Sequence, residues 1–97
     1  MSELTRDEVD AFSQPTVLEF GTSSCGYCRA AQTDIAAALK NHPTVRHIRV
    51  EDGHGRRLGR SFQVKLWPTL IYLESGMEKG RVVRPASAAE IEAIFAS

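Results

Sequence analysis

At 97 residues the chain can bury one core but not two, so a single domain over residues 1–97 is expected. Its 42% apolar and 25% charged residues suit a globular protein and exclude a disordered or fibrous one. Twelve acids against twelve bases leave no net field to draw nucleic acid or an anionic membrane, and neither is expected as a partner. The charge is unevenly spread: residues 56–84 hold seven bases against Glu74 and Glu78, a solvated face or one that steers an acidic partner. The first residues lack the apolar stretch of a signal sequence and no run reaches membrane-spanning length, so a cytoplasmic monomer is expected.

Thr5-Arg6-Asp7-Glu8 is a capping box and predicts a short helix reaching about Phe12. Pro15 ends it, and Val17-Leu18-Glu19-Phe20 is a strand punctuated by Gly21 to Ser24. From Cys25 to about Asn41, Ala30, Ala31, Ile35, Ala38 and Leu39 recur at helical spacing, and His42-Pro43 stops the helix. Val45 to Val50 reads as a second strand whose arginines suit a sheet edge. A short helix is expected over 56–63, and a third strand over Thr69 to Leu73. Arg81 to Arg84 reads as a fourth strand, leaving 74–80 for a hairpin connection. Ser87-Ala88-Ala89-Glu90 is a second capping box and opens a C-terminal helix with Ile91, Ile94 and Phe95 inward. The β-α-β half requires a parallel pair and the last two strands an antiparallel one, so a mixed four-stranded sheet with helices on both faces is predicted.

Cys25 and Cys28 are the only cysteines, too few to staple a secreted scaffold. Their spacing to His42 and His47 approaches a zinc-finger pattern. A helix running from Cys28 to His42, however, would hold them about 21 Å apart, and no metal is expected. A second reading, two inert core residues, fits poorly with a polar helix start interrupted by Gly26. The third is a redox pair. Free N–H groups and the macrodipole at a helix start stabilise a thiolate at Cys25, and Cys28 lies one turn on, better shielded, to resolve a mixed disulfide.

Cys25-Gly26-Tyr27-Cys28 after a strand, with Trp67-Pro68-Thr69 before a later strand, resembles the thioredoxin superfamily over residues 16–97. The resemblance implies a thioredoxin-like α/β fold lacking the usual first strand, because 1–15 offers only a helix. It also implies a cis bond at Trp67–Pro68 that turns the Trp67 N–H and C=O toward substrate, and no cofactor beyond a redox-active Cys25–Cys28 disulfide. Gly26, Tyr27, Trp67, Pro68 and Arg84 become substrate-binding candidates. Ser24 departs from the aromatic residue usual before the first cysteine. Tyr27 replaces the proline of the typical reductase motif, so Cys-Gly-Tyr-Cys looks more like periplasmic disulfide isomerases, which are larger, dimeric and exported. Glutaredoxins carry a glycine pair where this chain has Arg84-Pro85-Ala86-Ser87, so direct use of glutathione is not expected.

The expected activity is exchange with protein thiols and disulfides, with a thioredoxin reductase as a candidate electron donor. The alternative is a redox-sensing or interaction module without efficient turnover. Glu19 is the remaining catalytic candidate. A lone carboxylate in a central strand is costly unless protonated or paired, and the family places a buried acid six residues before the first cysteine. Desolvation is expected to raise its proton affinity so that it accepts the Cys28 proton, with His47 or Arg49 as neighbours and with an amide at 19 raising stability.

Overall fold

The computed structural model describes residues 3–96. Helix α1 (Arg6–Asp10) starts at a closed capping box: the Thr5 hydroxyl accepts from Glu8 N–H, and the Glu8 carboxylate accepts from Thr5 N–H. Strand β1 (Thr16–Gly21) leads into helix α2 (Gly26–Lys40), and strand β2 (Arg46–Glu51) follows. Helix α3 (Arg57–Ser61), strands β3 (Thr69–Glu74) and β4 (Met77–Val83), helix α4 (Ala88–Glu92) and a 3₁₀ turn over Ala93–Phe95 complete the chain. No helix among the described residues is long and apolar enough to cross a membrane.

The sheet order is β2-β1-β3-β4. β1 runs parallel to β2 and antiparallel to β3, and β3 runs antiparallel to β4. Alternation along the strands sends Val17, Leu70 and Tyr72 to one face, against Ala31, Ile35 and Ala38 of α2 and Ile91 and Ile94 of the C-terminal segment. Leu18, Phe20, Ile71 and Leu73 face the opposite way, onto Val9, Leu58 and Phe62. β1 is therefore buried on both faces, while β2, at the edge, alternates half-buried and exposed positions.

Two boundaries differ from expectation. β4 begins at Met77, four residues before Arg81, because Ser75 and Gly76 (φ 51° and 76°) close the hairpin in two residues. Its polar first half, with a register shift opposite Tyr72 and Leu73, hides the strand's alternation. At the C-terminal helix, Ser87 accepts from Glu90 N–H as a cap should, but the Glu90 carboxylate accepts from Ala86 N–H and not from Ser87.

The hairpin tip packs on α1, since a side chain at Gly76 would meet the Asp10 backbone. At Gly55, also in left-handed geometry (φ 81°), nothing lies within 4 Å. We predict that Gly76→Ala lowers unfolding free energy by about 2–4 kcal/mol, from strain plus displaced backbone. Gly55→Ala should cost only about 1 kcal/mol. Urea denaturation of both variants checks this, and equal costs would show that the hairpin does not rest on α1.

Candidate active site

Backbone groups at the start of a helix lack intrahelical acceptors, and a capping side chain must supply one. Here the cap is a sulfur. Cys25 is the N-cap of α2, and its Sγ accepts from Cys28 N–H at 3.1 Å. The Cys25 carbonyl accepts the first helical bond, from Arg29 N–H at 3.2 Å. Cys25 is partly exposed and Cys28 buried, both as free thiols. Gly21, at the end of β1, makes room for the buried one: a side chain there would begin 2.7 Å from Cys28 Sγ.

Burial, then the hydrogen bond to Cys25, push the Cys28 thiol up to about 11; negative charge at Cys25 and Glu19 adds to the rise, against a backbone bond with Thr22. Electrostatics and access agree that Cys28 is the reluctant thiol of the pair.

Glu19 lies in β1 beside β2, 5% exposed. Parallel register sets it opposite Arg49, with His47 opposite Val17. His47 Nε2 stands 2.6 Å from Glu19 Oε1, and Arg49 Nε 3.6 Å from the same oxygen. The other oxygen accepts from Gln32 Nε2 at 2.8 Å, which also donates to the Cys28 carbonyl at 2.8 Å. Arg49 donates in turn to Gln32 Oε1. Burial pushes the Glu19 carboxyl up, but the hydrogen bonds from His47 and Gln32, with the charges of His47 and Arg49, outweigh it and hold the group below its ordinary value. The expected rise in proton affinity is thus corrected: β2 and α2 supply more stabilisation of the charge than burial removes. Glu19 and Cys28 line one cavity of about 320 Å³, shared with Arg29, Gln32, Arg49 and Glu51.

Above the motif, exposed Tyr27 is covered by the Arg84 guanidinium, 4.0 Å from its ring centroid. Arg84 takes a left-handed backbone (φ 48°), rare for a branched-free but bulky side chain. Its N–H donates to the Pro68 carbonyl and its Nε to the Trp67 carbonyl, both at 2.9 Å. The Trp67–Pro68 bond is cis and Pro68 is fully buried. Arg84 therefore joins the cysteine motif to the Trp67-Pro68 loop. This alters one expectation, because the Trp67 carbonyl is already engaged within the chain. The Trp67 indole also has a partner, donating to Asp52 Oδ2 at 2.9 Å while the ring packs on the α1/α3 face. Gly26 lies exposed between the cysteines. The histidines of the zinc-like spacing are committed elsewhere, His42 to Glu92 at 2.5 Å and His47 to Glu19. Among the described residues no three potential ligands converge on a metal position.

These features carry a family signature. The thioredoxin family model matches residues 3–97. The chain belongs to the thioredoxin family. Among solved structures it is similar to thioredoxin 2 of Pseudomonas aeruginosa PAO1 in its reduced form, with 54% identity, a TM-score of 0.85, and coverage of 98% of this chain and 89% of that one. Mitochondrial thioredoxin 3 of Saccharomyces cerevisiae, at 18% identity and a TM-score of 0.76 over 95% of this chain and 86% of that one, shares the fold. Thioredoxin Asp f 28 of Aspergillus fumigatus is 25% identical over 85 residues, 88% of this chain and 79% of its own length. This thioredoxin-family chain nevertheless uses residues that spacing did not single out: Gln32 as the bridge from Glu19 to Cys28, Gly21 as the seat of the buried sulfur, and Asp52 as the tether of Trp67. Gln32 lies one turn after Cys28 in α2, the single signal that could have found it.

A carboxyl held below its unfolded value of about 4.3 contributes stability that is complete above that value and is lost as pH falls through the lower folded one. We predict that Glu19→Gln lowers stability at pH 7 by about 1 kcal/mol or more, since His47 and Arg49 lose their anionic partner. The deficit should narrow as pH falls from 7 toward 3. This reverses the gain expected of an amide at 19. Urea melts of both proteins across that range give the answer; a more stable variant at pH 7 would mean that desolvation outweighs the pairing.

Proposed function

We propose that the chain is a thiol–disulfide oxidoreductase that reduces protein disulfides through Cys25 and Cys28. One observation carries the reading: a partly exposed sulfur capping a helix, with a second, buried thiol one turn behind it. In the first step the Cys25 thiolate attacks one sulfur of the substrate disulfide. That S–S bond breaks, a Cys25–substrate disulfide forms, and the departing substrate thiolate takes a proton. Cys28 then loses its proton and attacks Cys25 Sγ, releasing the second substrate thiol and leaving a Cys25–Cys28 disulfide. Two electrons and two protons pass from the protein dithiol to the substrate. A thioredoxin reductase is the class of donor that would return them.

The resistance of Cys28 to ionisation is partly self-cancelling. Two of its causes, the hydrogen bond to Cys25 and the negative charge there, vanish once Cys25 is bound to substrate. Glu19 faces the same cavity, and we place it as the carboxylate that receives the Cys28 proton through water filling that space and passes it outward. Its low proton affinity makes it a weak base, so its contribution falls at or below the low end of the usual 10²–10⁴ for acid–base catalysis.

Insulin-disulfide reduction coupled to thioredoxin reductase and NADPH tests the activity, with many turnovers per protein expected. A single stoichiometric round would favour a sensing or docking module. Iodoacetamide at pH 7 should label Cys25 before Cys28; Cys25→Ser should abolish reduction and Cys28→Ser should trap the mixed disulfide. Preferential labelling of Cys28 overturns the assignment of roles. For Glu19→Gln, stopped-flow decay of a preformed mixed disulfide should be about tenfold slower than wild type. Faster decay would show instead that the carboxylate only opposes a thiolate at Cys28.

A further inference from the structure

Two guanidinium groups flank the cysteine motif, and neither has an acidic partner among the described residues. Arg84 sits over the Tyr27 ring, and once its Nε is given to the Trp67 carbonyl its two Nη groups have no acceptor among the described residues. Arg29, the residue after Cys28, has its Nη2 3.9 Å from where a side chain at Gly26 would begin, and it lines the cavity that reaches Cys28. Both residues are exposed. Arg6 pairs with Asp10, Arg56 with Glu3, and Arg81 with Glu78; Arg46, Arg57 and Arg60 also lack an acidic partner among the described residues, so what sets Arg29 and Arg84 apart is their place at the cysteine motif.

The placement is electrostatically uneven. The first turn of α2 contains no acid, and a cation there lies at the positive end of the helix dipole, the end that favours anions. A second cation, Arg84, is held over the same turn by a left-handed backbone residue and by two bonds to the Trp67-Pro68 loop. The acids near the site do not offset this. Glu19 is buried and shared by His47, Gln32 and Arg49; Glu51 lines the cavity without pairing with Arg29; Asp52 is turned to the Trp67 indole.

We infer that Arg29 and Arg84 are specificity-determining residues that select protein disulfides flanked by acidic side chains. The inference rests on the oxidoreductase reading and adds the substrate class to it. An acidic residue on either side of the attacked cysteine meets one guanidinium at each edge of the motif, Arg84 through its unpaired Nη groups and Arg29 across Gly26. Such contacts are exposed and each is modest, so their combined effect is a preference and not an absolute requirement. Tyr27 supplies the aromatic face over which the Arg84 guanidinium is held.

The test uses the reduced full chain and three peptides, each closed by one disulfide and differing only in Glu, Gln or Lys on both sides of the attacked cysteine. Second-order rate constants for single-turnover reduction are divided by those for dithiothreitol, which cancels the intrinsic effect of the charge on the disulfide. The Glu peptide should then exceed the Lys peptide by about tenfold at about 20 mM salt, and by less than about twofold at about 0.5 M. Arg29→Gln and Arg84→Gln should each reduce the ratio, and the double variant should bring it near unity. Equal normalised rates for Glu and Lys peptides, or a ratio that survives high salt or the double variant, overturn the inference while leaving the activity intact. Failure to reduce even the Gln peptide would remove the oxidoreductase reading and this inference with it.

Discussion

The geometry of the site depends on burying β1 on both faces while a helix is capped four residues beyond its end. A strand whose every side chain is covered can hardly slide or twist, because a one-residue slip would exchange its two faces. Its end at Gly21 is thereby fixed, and so is the point where α2 begins. The chain must turn in Thr22, Ser23 and Ser24 and present a capping group at 25. Placing a cysteine at that cap makes one sulfur serve two purposes. It satisfies a helix N–H, and that N–H in turn stabilises negative charge on the sulfur. Cys28, one turn on and over Gly21, is buried by the same arrangement. The asymmetry between two chemically identical thiols is thus a consequence of strand burial and needs no further residue to enforce it.

The buried charge in that strand obeys the same constraint in reverse. Glu19 is almost wholly removed from bulk water, so its neighbours determine its state. β2 brings His47 and Arg49, and α2 brings Gln32. Because Gln32 also holds the Cys28 carbonyl, the carboxylate and the start of α2 are joined mechanically as well as electrostatically. A change of charge at Glu19 is therefore transmitted to the segment that carries Cys28. β2 is an edge strand, with His47 and Arg49 more exposed than the acid they neutralise. This leaves a short connection between the buried carboxylate and solvent.

Much of this was legible in the sequence because it is local. Both capping groups, the stop at Pro43, the order of strands and helices, and the cysteine pair at a helix start are read from a few adjacent residues. What escaped depends on partners distant in the chain. The first half of β4 looked like a turn because Glu78 and Lys79 sit on an edge where polarity costs nothing, and Gly80 lies against the Ile94 backbone, which no local pattern reveals. The sign of the Glu19 shift was missed because desolvation can be judged from one strand, whereas the compensating groups come from two other elements. Arg84 was a substrate-binding candidate only by way of the family resemblance. Its bond to the Trp67 carbonyl, which removes an acceptor assigned to substrate, required the fold.

Arg84 also shows how a strained residue can be held in place. A non-glycine residue in left-handed geometry is disfavoured by about 1–2 kcal/mol. Here its backbone N–H is given to the Pro68 carbonyl, its Nε to the Trp67 carbonyl, and its guanidinium sits over the Tyr27 ring. Two of these contacts lie on the Trp67-Pro68 loop and the third on the cysteine motif, so together they fix the separation of the two segments. A glycine would adopt the backbone with less strain but could make neither side-chain contact. The arginine therefore spends local strain to tie two loops together, and in doing so leaves a positive charge beside the cysteine motif. Tyr27 completes the arrangement from the other side, since without an aromatic face between the cysteines the guanidinium would have nothing to lie on.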